Sequence, residues 1–300
     1  LAFYPYHQQH YEIIGSIMSD IVLLFSQPFM QRALLGGILT GITGGLLGSF
    51  TVVRHLSFFS DALGHSTLLG LSVGIVCGIS SPSLMVLPFA LLFALLVTYL
   101  IEKTDLWTDA LLNLIYSSSL AIAVLILSLS GESQGNLHSL LFGDILALKT
   151  ADLVTSGLLL LVCSLFVGLT FRTQMLLTLD EPLAIARGVN LWLHRNAFMV
   201  LLSLVVATSI KAIGALLVGA FVVIPACAAR AISRDFTGYV LWSAGLGALS
   251  AAAGMLLSGA FNLPSGSSIV LAQLVLFLMA TFIPKISSFA VSFNQSKPKL

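Results

Sequence analysis

The sequence predicts an all-α polytopic membrane protein, a bundle of about eight or nine transmembrane helices. Three observations carry this. Of its 300 residues, 58% are hydrophobic and only 8% are charged, against about 25% charged in soluble domains. The apolar residues form long runs without a charge, the length a bilayer core demands of a helix. The short alternating segments of a β-barrel are absent.

The spans follow in order: 31–53, 57–78, 82–101, 109–130, 151–171, 195–210, 213–231, 237–258 and 266–285. The run 195–210 is short, and the sequence leaves open whether it continues into the next with a kink at Gly214. Residues 13–30 are apolar but broken by Asp20 and Pro28, which suits an interfacial or half-crossing helix. The expected organisation is a polar or interfacial segment over 1–30, a transmembrane domain over 31–285 and a cytoplasmic tail over 286–300. The first residues, with His7 and His10, do not read as a cleavable signal peptide.

Orientation follows from the basic residues. With 172–195 in the cytoplasm, every Lys and Arg except Arg32, Lys149 and Lys211 falls inside, and so does the C-terminus. A net charge of +1 gives no reason to expect a nucleic-acid partner; the lipid bilayer is the expected surroundings. Cys77, Cys163 and Cys227 lie in apolar runs and form no CxxC or disulfide framework. The glycines of the first span, at 36, 37, 41, 44, 45 and 48, form small-xxx-small pairs. These predict close helix packing within the subunit, ahead of a pore or dimer contact. Pro225 is expected to break its helix and free backbone carbonyls.

Asp61 and His65 stand out in this apolar chain. An ionisable group at membrane depth costs about 2.5–3.5 kcal/mol on insertion scales and usually faces inward. A spacing of four puts both on one helix face. A carboxylate with an imidazole suits a divalent transition metal, and a structural Asp–His contact between helices is the competing account. On the cytoplasmic side, Leu177–Asn190 reads as a short surface helix, with Thr178 or Asp180 as cap, Pro182 in its first turn and Gly188 at its end. It is either an ordinary connection or a docking element. On the outer side, His138 and Asp144 could contact a metal, though solvated side chains are the favoured account of them. Asp109 at a helix start complements the helix dipole. No GxxxxGK[ST] or HExxH is present, so nothing points to a P-loop ATPase or an HExxH metalloprotease.

Four ordered segments carry a resemblance: Ser60-Asp61-Ala62-Leu63-Gly64-His65 with Gly70, Leu141–Ala147, Gly214–Leu217 with Ile224–Arg230, and Pro264–Leu271. Together they resemble the permease subunit of bacterial ABC transporters for zinc, manganese and iron (the ABC-3 type), over about residues 30–285. Ser60 stands where that family has Gly, and Asn113 where it has Gly after Asp109. Leu68-Leu69-Gly70 and Ile210–Leu216 look closest to the zinc-uptake branch.

The resemblance implies a metal-importer permease fold in the bacterial inner (plasma) membrane. It implies no ATPase of its own, a separate ABC ATPase subunit, an extracytoplasmic metal-binding protein and a second copy of the permease. Asp61 and His65 become expected pathway ligands for a transported divalent metal, Zn2+ favoured over Mn2+ or Fe2+, with no permanently bound cofactor. Residues 178–190, with Asp180, Glu181, Leu183 and Gly188, become the expected ATPase-docking helix. The rival readings are a stand-alone ion-coupled carrier and a membrane-embedded metalloenzyme; a sensor or assembly protein has no specific support.

Overall fold

The computed structural model describes residues 26–79, 85–130, 143, 148–261 and 263–295, with side chains described to 282. Ten helices follow one another in this part of the chain: α1 Pro28–Val53, α2 Ser57–Val76, α3 Val86–Lys103, α4 Thr108–Ser130, α5 Thr150–Leu179, α6 Glu181–Ala186, α7 Leu191–Ile213, α8 Val218–Ile232, α9 Phe236–Phe261 and α10 Ser265–Gln295. Eight are long and apolar enough to cross a bilayer, and α8, with 15 residues, is shorter. At 1.5 Å per residue, α8 covers about 22 Å, less than a hydrocarbon core of about 30 Å.

The glycines of α1 are used inside the subunit, as close packing predicts. A Cβ on Gly41 or Gly45 would collide with the Gly247 or Ser243 carbonyl of α9, and one on Gly48 with the Val222 carbonyl of α8. Bare backbones therefore meet at van der Waals distance. Two hydrogen bonds lock the α1–α9 contact: Ser243 Oγ donates to the Gly45 carbonyl (2.6 Å) and Tyr239 Oη to the Ser49 carbonyl (3.0 Å). The core spreads from there through Leu47, Phe50, Phe59, Leu63, Phe198 and Leu202. By contrast, α4 and α5 expose Leu114, Leu125, Leu129, Leu158, Leu161 and Leu169, as lipid-facing helices do.

One open point is settled and two sequence expectations change. First, α7 and α8 are separate helices, as two separate spans predict. Gly214 has φ 93°, ψ 155°, a conformation that only glycine adopts readily. The corner it makes is buried, where irregular backbone is tolerated in a membrane protein. Second, Pro225 lies inside α8 without ending it. Its missing N–H leaves the Phe221 carbonyl free, and Gln273 Nε2 of α10 donates to that carbonyl at 3.3 Å. A side chain thus replaces the lost backbone rung. Third, α5 continues past 171 to Leu179 and α10 past 285 to Gln295. The interfacial segment expected before Ser26 lies outside the described residues.

Candidate metal pathway and docking face

The helix α2 starts after His55, whose φ of 57° turns the chain sharply out of α1. Its buried side carries Phe59, Ala62, Leu63, Ser66 and Thr67. Its partly covered side carries Phe58, Asp61, His65 and Leu68, all half-buried. Asp61 and His65 therefore share a stripe of α2 that the described residues cover only in part, a turn apart as the spacing predicts. The imidazole packs against Tyr116 of α4, with ring centroids 5.2 Å apart at 44°.

The carboxylate of Asp61 has a partner that sequence spacing did not reveal. It lies against the backbone N–H of Gly219, in the first turn of α8. A Cβ on Gly219 would overlap a carboxylate oxygen. The first N–H groups of a helix lack intrahelical acceptors and carry partial positive charge, so a carboxylate there gains a donor and a favourable field. Both carboxylate oxygens lie close to Gly219, and the residue is half-buried on the same side of α2 as His65. The structural account weighed from sequence, an Asp–His hydrogen bond, is not what is found: Asp61 makes its helix–helix contact with Gly219 instead. Among the described residues, no three His, Cys, Asp or Glu side chains converge on one point. The described residues thus pair Asp61 with His65 and place no closed cage around them.

The corner before α8 is built from the segments that stood out in the sequence. A Cβ on Gly143 would strike Ile213 and Gly214, and one on Gly266 would lie 2.7 Å from the Ile213 carbonyl. Gly64 of α2 packs against Ala215, where a Cβ would meet the carbonyl at 2.7 Å. Three distant stretches meet at Gly214, and the corner aims the start of α8 at Asp61. His138 and Asp144 lie outside the described residues. Asp109 is exposed in the first turn of α4.

At the end of the bundle where α5 meets α7, α6 is short but well defined. The Asp180 carboxylate accepts from Leu183 N–H at 3.0 Å, Pro182 sits in the first turn, and Gly188 (φ 72°) turns the chain out. Asn190 then caps α7, accepting from Leu193 N–H at 3.1 Å. Glu181 is engaged by Arg195 at 2.8 Å. Its exposed apolar side chains are Leu179, Leu183, Ile185 and Trp192, beside the exposed Asp180, Glu181 and Arg187. Asp180 and Gly188 shape this element, and Leu183 is the side chain it displays.

The fold defines a class, a multi-pass helical membrane protein, with Asp61 and His65 paired on one of its helices. The chain belongs to the ABC 3 transport family, whose model matches residues 26–284. It is 32% identical over 259 residues to "Manganese import system permease protein ScaB" of Streptococcus gordonii, covering 85% of this chain and 91% of the relative. It is 31% identical over 250 residues to "High-affinity zinc uptake system membrane protein ZnuB" of Haemophilus influenzae, covering 83% and 95%. Among solved structures it is similar to "PsaBC from Streptococcus pneumoniae in complex with Fab", with a TM-score of 0.77, 28% identity and coverage of 89% of this chain and 96% of that one. Relatives named for manganese and for zinc match at similar identity, so overall identity does not discriminate between the two metals.

Proposed function

We propose that this chain is the membrane-spanning permease of an ATP-driven importer for a divalent transition metal, with Zn2+ the preferred cargo and Mn2+ the alternative. The observation that carries the reading is the partly covered stripe of α2. Asp61 and His65 stand there together, and Gly219 orients the carboxylate. Family membership favours transport over the metalloenzyme and the stand-alone carrier.

In this reading the protein works as a homodimer in the bacterial inner membrane, with its C-terminus in the cytoplasm. A metal-loaded binding protein delivers the ion at the outer face, where His138 and Asp144 offer contacts. The ion passes Asp61 and His65 between the two copies. Ion transfer needs moderate affinity, and two donors per chain supply that where a complete tetrahedral set would trap it. A separate ATPase docks on residues 178–190, with Leu183 as an apolar anchor between Asp180 and Gly188. Nucleotide shifts the permease between outward- and inward-facing states only through different affinities for them. Zinc is favoured because a neutral imidazole is a better ligand for zinc than for manganese, whose chemistry suits harder oxygen donors.

The test is uptake of Zn2+ and Mn2+ by cells carrying only this transporter. Asp61→Ala and His65→Ala should each strongly reduce uptake at unchanged membrane levels. His65→Asp should lose more zinc than manganese transport. Normal uptake by both alanine variants sinks the pathway assignment. A wild type that takes up manganese and ignores zinc overturns the metal preference alone.

A further inference from the structure

Arg54 closes α1 at the end of the bundle that carries α6, and it is half-buried there. Its Nε donates to Thr178 Oγ1 at 2.9 Å, and its Nη2 donates to both the side-chain oxygen (2.6 Å) and the carbonyl (3.2 Å) of Gln174. The guanidinium carbon lies 4.4 Å from the Phe198 ring centre and 5.6 Å from that of Phe50. Burial, then the charge of Arg195, lower its pKa to about 10, while Glu181 opposes the shift. It stays charged at neutral pH. Its hydrogen-bond acceptors among the described residues are neutral, because the nearby carboxylate of Glu181 is taken by Arg195.

Thr178 and Gln174 belong to the last turns of α5, immediately before the Asp180 cap of α6. Arg54 is therefore a strut between the root of the surface helix and the end of α1. From α1 the contacts continue without a gap. Gly48 abuts Val222 and Gly44 lies under the Phe221 ring, both on α8, and Gly219 of α8 holds Asp61. Arg195 braces α6 from the other side through Glu181. The strut borders a cleft of about 490 Å³, lined also by Thr178, Glu181, Arg195 and Phe198, into which these side chains have room to shift.

From this geometry we infer that Arg54, acting through Gln174 and Thr178, is the positioning residue that transmits movement of α6 to the helices holding Asp61. The inference rests on the reading of α6 as the ATPase-docking element. A planar fork that makes three directed bonds and stacks on an aromatic ring transmits displacement in a fixed direction, which a lysine ammonium does not.

The test uses the complete transporter with its ATPase and binding protein, reconstituted in liposomes, with metal uptake and ATP hydrolysis measured together. In Arg54→Gln the complex should co-purify and hydrolyse ATP, while metal moved per ATP falls about tenfold, the scale of a lost charge-assisted hydrogen bond. Gln174→Leu with Thr178→Val, which leaves Arg54 in place, should give the same uncoupling. Adding Arg54→Gln to that pair should cost nothing more, and Arg54→Lys should be intermediate. Unchanged coupling in either variant overturns the inference. So do effects that multiply, or loss of the ATPase from Arg54→Gln, which would make Arg54 a docking residue. Failure of the docking reading shows separately, as a Leu183→Glu complex that stays intact and coupled.

Discussion

Gly219→Ala is the sharpest test of how the site is held. The added methyl would occupy the place of an Asp61 carboxylate oxygen and lie 2.4 Å or more from the remaining carboxylate atoms. Real contacts of that kind start at about 3.0–3.4 Å, so the carboxylate must withdraw by roughly 1 Å, and it then loses the Gly219 N–H. A hydrogen bond to a charged group contributes about 1.5–3 kcal/mol, and each 1.4 kcal/mol is tenfold in an equilibrium. Metal uptake should therefore fall about ten- to a hundredfold. α8 itself should persist, because alanine favours a helix more than glycine does. The assay is uptake in cells carrying only this transporter, with membrane levels measured in parallel. Gly157→Ala and Gly168→Ala are matched controls, since a Cβ at either position meets nothing within 4 Å. Uptake by Gly219→Ala within twofold of wild type, at equal membrane level, would refute the claim that Gly219 orients the Asp61 carboxylate.

Leu183→Glu should weaken co-purification of the ATPase, because Leu183 is 40% exposed on α6 and a charge there removes an apolar anchor. Asp180→Ala should lower binding less specifically, through fraying of α6, and a cap is worth about 1 kcal/mol. Gln273→Leu removes the donor to the Phe221 carbonyl and with it a buried amide oxygen that has no partner among the described residues. The first loss costs about 1–3 kcal/mol and the second change gives part of it back. A modest drop in melting temperature in detergent is expected, and a rise would mean that the rung left open by Pro225 needs no side-chain donor.

The helical bundle was legible because composition and run length determine it almost alone. The shared face of Asp61 and His65 was legible for a similar reason, as helix period is local. So were the Asp180 cap and the Gly188 exit, which depend on residues within one turn. What escaped is long-range. Gln174 read as part of a loop because a polar residue near Arg172 and Thr173 interrupts an apolar run, yet it is 1% exposed. Its partner, Arg54, is 120 positions away. The proline expectation held for the freed carbonyl and missed the unbroken helix: the donor to that carbonyl comes from α10, 52 positions beyond it. Gly219 carried no local sign of its contact with Asp61.

The α1–α9 interlock also bears on how the protein is made. Ser243 and Gly45, joined in that contact, are 198 positions apart. During synthesis α1 enters the bilayer long before α9 exists, and its eventual mating surface first faces lipid. That surface is suited to wait. Glycine leaves no side chain unsatisfied, and the Ser49 hydroxyl on the same face donates to the Leu46 carbonyl of α1 itself at 2.7 Å. A face bearing asparagine or glutamine would have found early partners and held them. The bare groove of α1 instead stays available until the last third of the chain arrives to fill it.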